Sequence, residues 1–212
     1  GAMFIQLLPY LEQAPLFDKI SDRFAGQPNA LLPLHPEAAI PLPTLACPSD
    51  PRTPGPQVIS GENVSLTSYL GSAGTDYLKK DGIYFVDSNI RMSQILDGTS
   101  QTLTFGERPP SSDLVIGWWY AGIGINAQGT GEFLLGAAER NDNPSIPCPR
   151  GPYVFQKGKF SVQCDALHYW SPHPGGANFA LADGSVRFIT YGAADILPKL
   201  ATRAGGEVVT VE

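Results

Sequence analysis

Residues 173–186 read His173-Pro174-Gly175-Gly176-Ala177-Asn178-Phe179-Ala180-Leu181-Ala182-Asp183-Gly184-Ser185-Val186, a pattern of the form H-x9-D-G. Residues 177–182 are mostly apolar and read as a short, largely buried strand. Asp183-Gly184 then reads as the tight turn of a hairpin, because Asp tolerates and Gly favours the positive φ that such turns require. Val186, Phe188 and Ile189 fall on the returning strand. A chain that closes on such a hairpin and opens on a helical pattern is α+β.

The opening segment has Phe4, Leu7, Leu8 and Leu11 at i, i+3, i+4 and i+7, one apolar face of a helix. Pro9 and Pro15 limit or kink it. A second helical stretch starts at Pro15, with Leu16, Phe17, Ile20 and Phe24 facing inward and Gly26 as its stop. Residues 27–57 carry prolines at 28, 33, 36, 41, 43, 48, 51, 54 and 56. Regular helix or central strand is not expected there, and an extended wrap over the surface is. From 58 onward short strands and turns follow. Strands are expected at 83–86, 102–105 and 115–120. The Asp-Gly pairs at 81–82, 97–98 and 183–184 suggest an antiparallel sheet of hairpins. Residues 121–152 look like a long Gly- and Pro-rich excursion. Ala194 to Arg203 reads as helix stopped by Gly205-Gly206, and Val208-Val209 as an edge strand. There is no internal repeat and no domain boundary. Residues 4–212 read as one domain, with Gly1-Ala2-Met3 resembling a tag remnant.

Composition narrows the function. The chain has 212 residues, enough for one core, with 42% hydrophobic and only 16% charged residues. A net charge of −6 with 14 scattered Lys and Arg gives no clustered surface for phosphate, so nucleic acid is not an expected partner. No run of eighteen apolar residues is present to span a membrane. The three cysteines, Cys47, Cys148 and Cys164, show no C-x-x-C spacing, which argues against a zinc ribbon or thioredoxin-like site. Cys148 and Cys164 flank a segment rich in Gly and aromatics, as a loop-closing disulfide would. Cys47 is then left unpaired and buried as a small hydrophobe.

His173 and Asp183 invite a metal or acid/base reading. At about 3.3 Å per residue the strand between them holds its ends roughly 20 Å apart. His173 is therefore expected to pack or hydrogen-bond where the strand starts, and Asp183 to build the turn. Asp97-Gly98-Thr99-Ser100 reads as a turn, and Glu107-Arg108 as residues that pair with charges elsewhere or cap a buried loop. No G-x-S-x-G elbow, phosphate loop or EF-hand loop occurs. No catalytic residue, metal or cofactor is expected, although a loop-bound calcium leaves little sequence trace. Trp118, Trp119 and Trp170, beside Tyr120 and Tyr169, are the candidates for stacking on sugar rings or a partner, against the alternative that they fill the core.

Several segments stand in a fixed order: Leu8-Pro9-Tyr10-Leu11-Glu12-Gln13, Cys47-Pro48-Ser49-Asp50-Pro51, Ser68-Tyr69-Leu70-Gly71-Ser72-Ala73-Gly74, Asp97-Gly98-Thr99-Ser100, Gly106-Glu107-Arg108, His173 through Ile189, and Thr202-Arg203-Ala204-Gly205-Gly206-Glu207. This set resembles a bacterial prepilin-like family of unknown function. Its members carry an N-terminal prepilin cleavage/methylation motif and a C-terminal H-x9-D-G domain. His173, Gly175, Gly176, Asp183 and Gly184 are its hairpin motif here. The resemblance covers nearly the whole chain. It implies a pilin-like fold, with the end of an N-terminal helix (4–26) packed on an antiparallel sheet (58–212). It implies a membrane-anchored, extracytoplasmic subunit of a type II secretion or type IV pilus-like filament, with other pilin-like subunits as partners and the anchoring helix upstream of this sequence. No enzymatic activity is implied for the head. The alternatives are a cell-surface binding module for polysaccharide and, with least support, an extracellular hydrolase.

Overall fold

The computed structural model describes residues 3–207 apart from 123, 127 and 128. The residue pair Val208-Val209 and most of the suspected tag remnant lie outside the described residues. The protein is α+β, built around one five-stranded sheet. Among the described residues the α-helices are α1 (Met3–Leu7), α2 (Ala14–Gly26) and α3 (Leu197–Ala201). The strands are β1 (Gln57–Ile59), β2 (Glu62–Val64), β3 (Tyr69–Gly74), β4 (Leu103–Glu107), β5 (Leu134–Gly136), β6 (Ala138–Glu139), β7 (Tyr153–Val154), β8 (Gly176–Leu181) and β9 (Val186–Thr190). The main sheet runs β5-β3-β4-β8-β9, while β1-β2 and β6-β7 form separate two-stranded ribbons. The sheet is mixed rather than purely antiparallel, because β5 joins β3 in parallel. The pairings β3-β4, β4-β8 and β8-β9 are antiparallel.

The deciding hairpin is present, with a longer turn than the sequence suggests. Gly184 N–H donates to the Leu181 carbonyl at 3.0 Å, and Leu181 N–H to that of Ser185 at 2.9 Å. Of Asp183 and Gly184 only Gly184 takes a positive φ, +85°. The loop is therefore Ala182–Gly184, the three-residue type with glycine in the left-handed position. Asp183 works through its side chain, accepting from Ser185 N–H at 2.9 Å and Ser185 Oγ at 2.6 Å. At the other end of β8, a Cβ on Gly176 would stand 2.1 Å from the Ile189 carbonyl oxygen. Only glycine lets β9 approach that closely.

Two cores flank the sheet. One gathers Leu70, Leu103, Leu135, Phe155, Tyr169, Phe179, Leu181 and Ile189 with Leu197 and Leu200 of α3. The other places Phe4, Ile5 and Leu8 of the opening helical segment and Ile20 of α2 against Trp119, Tyr120 and Phe133. Phe4 meets Phe105 and Phe133 with ring centroids 6.4 and 6.2 Å apart. Such aromatic contacts add to area burial.

Several expected elements are absent, each for a local reason. Residues 83–86 form no strand: Asp87 turns left-handed at φ 60°, and only Gly82 and Tyr84 reach the flank of β3 by single N–H bonds. Residues 115–120 are not extended, because Leu114 and Gly117 adopt φ 60° and 116°, leaving one isolated bridge from Trp118 to Leu66. Asp81-Gly82 and Asp97-Gly98 make no hairpins. Asp81 instead holds Thr75 N–H and Oγ1, each at 2.7 Å. Asp97 holds the N–H groups of Gly205 and Gly206 at 2.7 and 2.8 Å. Residues 191–201 are a 3-10 turn running into α3, kinked at Ala193. The stretch 27–57 does not merely wrap the surface. Ala38, Leu42, Leu45 and Cys47 are buried, and Pro36–Ala39 and Pro43–Leu45 are 3-10 turns.

Candidate functional site

Cys47, Glu107 and His173 come from three separate segments and meet beside the outer end of β4. Each is placed by its own local chemistry. Cys47 opens a β-turn with Pro48 in the second position, which pre-sets the φ that position needs; the Asp50 N–H closes it on the Cys47 carbonyl at 2.9 Å. Asp50 is clamped by Arg52 through bonds of 2.8 and 3.0 Å. The Arg52 guanidinium also donates to the carbonyls of Ser111 and Pro110 and lies 4.3 Å from the Phe160 ring centroid. The Cys47 N–H donates to Ser68 Oγ at 2.9 Å, which ties the turn to the start of β3.

Glu107 ends β4 and is 2% exposed. Its Oε2 accepts from Asn178 N–H at 2.6 Å and from Asn178 Nδ2 at 3.2 Å. Its Oε1 lies 3.1 Å from His173 Nε2. His173 stands before β8, its N–H donating to Ser171 Oγ at 3.1 Å, and that hydroxyl donating to the Gly176 carbonyl at 2.7 Å. Its side chain is 28% exposed, so the cluster has one solvent-facing rim. Cys47 Sγ lies 3.6 Å from the same Nε2, and one ligand atom from each residue falls within 4.8 Å of the others. Tyr69 pairs with Glu107 across β3-β4 and lines the cluster. Burial, with the nearby Cys47 and Glu107 charges adding to it, pushes its hydroxyl up to about 12.

Burial also raises the Cys47 thiol above its ordinary value, the Glu107 charge adds to this, and the Ser49 and Asp50 N–H groups only partly oppose it. That is the reverse of an activated nucleophilic cysteine. The geometry agrees. In a nucleophile relay the imidazole offers one nitrogen to the thiol and the other to its orienting carboxylate. Here Cys47 and Glu107 both face Nε2. The arrangement converges on a point, as donor atoms around a cation do.

The other expected site residues stay apart. Asp183 sits in the hairpin loop at the far end of β8 from His173, as the strand length requires. Trp119 is fully buried and donates from Nε1 to the Ile40 carbonyl at 2.8 Å. Trp170 is buried against Phe160. Neither can stack on a sugar. Trp118 is half-buried, its Nε1 donating to the Leu114 carbonyl. Cys148 and Cys164 are joined by a disulfide and Cys47 is a free, buried thiol. His35 is satisfied by Tyr120 Oη and the Gln27 carbonyl, and His168 by the Tyr169 carbonyl and Asp165. What sequence reading missed was the meeting of Cys47 and Glu107 with His173. The one signal that pointed to it was that all three stand inside segments of the ordered set.

The fold and site together define an α+β domain in which a buried cysteine, a buried carboxylate and a part-exposed imidazole converge at the end of the central strand of its sheet. Residues 2–194 match the family SBP_bac_10, described as a protein of unknown function (DUF1559), and the chain belongs to that family. No curated protein and no solved structure matches it.

Proposed function

We propose that this chain is the non-enzymatic, extracytoplasmic head of a membrane-anchored, pilin-like subunit of a type II secretion or type IV pilus-like filament. The observation that carries the reading is the way the chain enters its fold. The helical segment 3–8 lays Phe4, Ile5 and Leu8 on the sheet, and the resemblance implies that the end of an N-terminal helix packs on the sheet in this way. The sequence resemblance points the same way. The Cys148–Cys164 disulfide supports an oxidising compartment. Anchoring and polymerisation would reside in a helix upstream, and other pilin-like subunits would be the partners. Among the described residues no helix is long and apolar enough to cross a membrane.

Sequencing the native reading frame upstream of Phe4 tests this. A short basic leader, a junction like Gly-Phe-Thr-Leu-Ile-Glu and roughly 20 apolar residues are expected. An ordinary cleaved signal peptide, or a start with no apolar segment, overturns the filament reading. The polysaccharide-binding alternative loses two of its three stacking side chains to the core.

A further inference from the structure

We propose that Cys47, Glu107 and His173 form a three-ligand site for a divalent transition-metal ion of the zinc class, with its fourth position left to water or to a donor from outside the chain. The spacing of donors fits. A tetrahedral ion at ordinary zinc bond lengths sets its sulfur and nitrogen ligands about 3.6 Å apart and its nitrogen and oxygen ligands about 3.4 Å apart. The observed separations are 3.6 Å for Cys47 Sγ to His173 Nε2 and 3.1 Å for His173 Nε2 to Glu107 Oε1.

Hydrogen bonds give the Glu107 oxygens and His173 Nε2 partners, but one Nε2 cannot both donate to Glu107 and accept from Cys47. One imidazole nitrogen carries either a single hydrogen or a single lone pair. If Nε2 donates to Glu107, it has nothing to accept the Cys47 thiol hydrogen. If it accepts that hydrogen, it cannot donate to Glu107. A cation at the centre uses the Nε2 lone pair, a Glu107 lone pair and the Cys47 thiolate at once. On binding, Cys47 releases its thiol proton to solvent. Sulfur, imidazole and carboxylate together select zinc and its neighbours over calcium or magnesium, which take oxygen ligands.

The surroundings hold these donors in place, as supporting residues do at metal sites. Asn178 fixes the second carboxylate oxygen of Glu107 through two bonds. Ser171 fixes the backbone of His173. The Pro48 turn and Ser68 fix Cys47. The ion would reach the site from the His173 rim, where the side chain is 28% exposed.

The test is titration of the folded, chelator-treated protein with Co2+ as a spectroscopic probe, followed by displacement with Zn2+. Because Cys148 and Cys164 are bonded to each other, a thiolate-to-cobalt charge-transfer band can come only from Cys47. The expected result is about one Co2+ per chain, that band, and visible bands of four-coordinate intensity, all removed by Zn2+. Cys47→Ser should lose the charge-transfer band. Asn178→Ala should keep it while weakening cobalt binding by roughly 10–100-fold. His173→Ala, on the solvent rim, should lose stoichiometric cobalt binding, and it serves as the second variant should the buried Cys47 variant fail to fold. A folded protein with one titratable thiol and no charge-transfer band overturns the proposal, as does a band that survives Cys47→Ser. A pilin-like leader is neither needed for this result nor tested by it.

Discussion

Glu107 and Glu132 are both buried carboxylates, 2% and 4% exposed, yet they are spent on different things. Glu132 Oε2 accepts the N–H groups of both Gly117 and Trp118 at 2.8 Å. It closes a stretch of backbone that the left-handed turn at Gly117 keeps out of any sheet. Glu139, fully buried, does likewise for Tyr77, Gly136 and Arg140. Glu107 gives only one oxygen to Asn178 and aims the other at His173, beside Cys47. A buried acid whose bonds all end on backbone substitutes for missing secondary structure. One that shares its bonds with an imidazole and a thiol has the makings of a site.

That contrast is broken most forcefully at Glu132. Arg108 is fully buried beside it, donating to the carbonyls of Pro109 and Gly131, with Nε unpartnered. Burial lowers the Arg108 guanidinium to about 10, with the Glu132 charge opposing that fall. Glu132→Ala removes the countercharge and orphans two N–H groups. A loss of about 3–5 kcal/mol is expected from urea unfolding. A loss under about 1 kcal/mol would show that the loop re-satisfies itself.

The disulfide comes next. It closes a 16-residue separation, and Asn141 Nδ2, from the segment before the loop, donates to the Cys148 carbonyl at 2.7 Å. Replacing both cysteines by serine should cost about 3 kcal/mol, read as a shift in the unfolding midpoint. It should leave cobalt binding at Cys47 intact, since the two regions share no ligand.

A pH profile separates the two kinds of acid further. Burial raises both Glu132 and Glu139 to about 7 from 4.5, against the opposing pull of their backbone N–H bonds. The folded protein therefore binds more protons than the unfolded chain between about pH 4.5 and 7. Stability falls as pH rises through that window, by on the order of 1 kcal/mol per unit for each group, and levels off above it. Glu132→Gln keeps an acceptor oxygen for both N–H groups and should flatten about half of the slope. Unfolding midpoints at pH 5 and pH 8, compared with the parent, check this. An unchanged slope in the variant would assign the pH dependence elsewhere.

How far the sequence could be read follows from range. The hairpin at 176–190 and the helical opening were legible because alternation, proline and glycine act within a few residues. The strands imagined at 83–86 and 115–120 failed because apolar runs do not reveal a left-handed Asp87 or Leu114. The cluster was illegible for a different reason. Cys47, Glu107 and His173 are 60 or more positions apart, and each has a sufficient local explanation: a turn, a strand end, a residue before a hairpin. Only the β3-β4-β8 pairing, with the Cys47 turn bound to Ser68, brings them together. The aromatic pairs left two readings open, a display surface or core filling, and packing decides between them: Trp119 and Tyr120 are core.

The smallest stability effect carries the sharpest distinction. In Glu107→Gln the side chain keeps its volume, and its carbonyl oxygen still accepts the Asn178 N–H. The amide then faces His173. The bonds retained limit the cost to about 1 kcal/mol, far below that of Glu132→Ala. Yet an amide is a poor ligand for a zinc-class ion, so cobalt affinity should fall at least about tenfold, with the charge-transfer band from Cys47 weakened at fixed cobalt. If instead Glu107→Gln destabilised the fold as much as Glu132→Ala and left cobalt binding unchanged, Glu107 would be one more carboxylate closing backbone, and the two regions would not differ in kind.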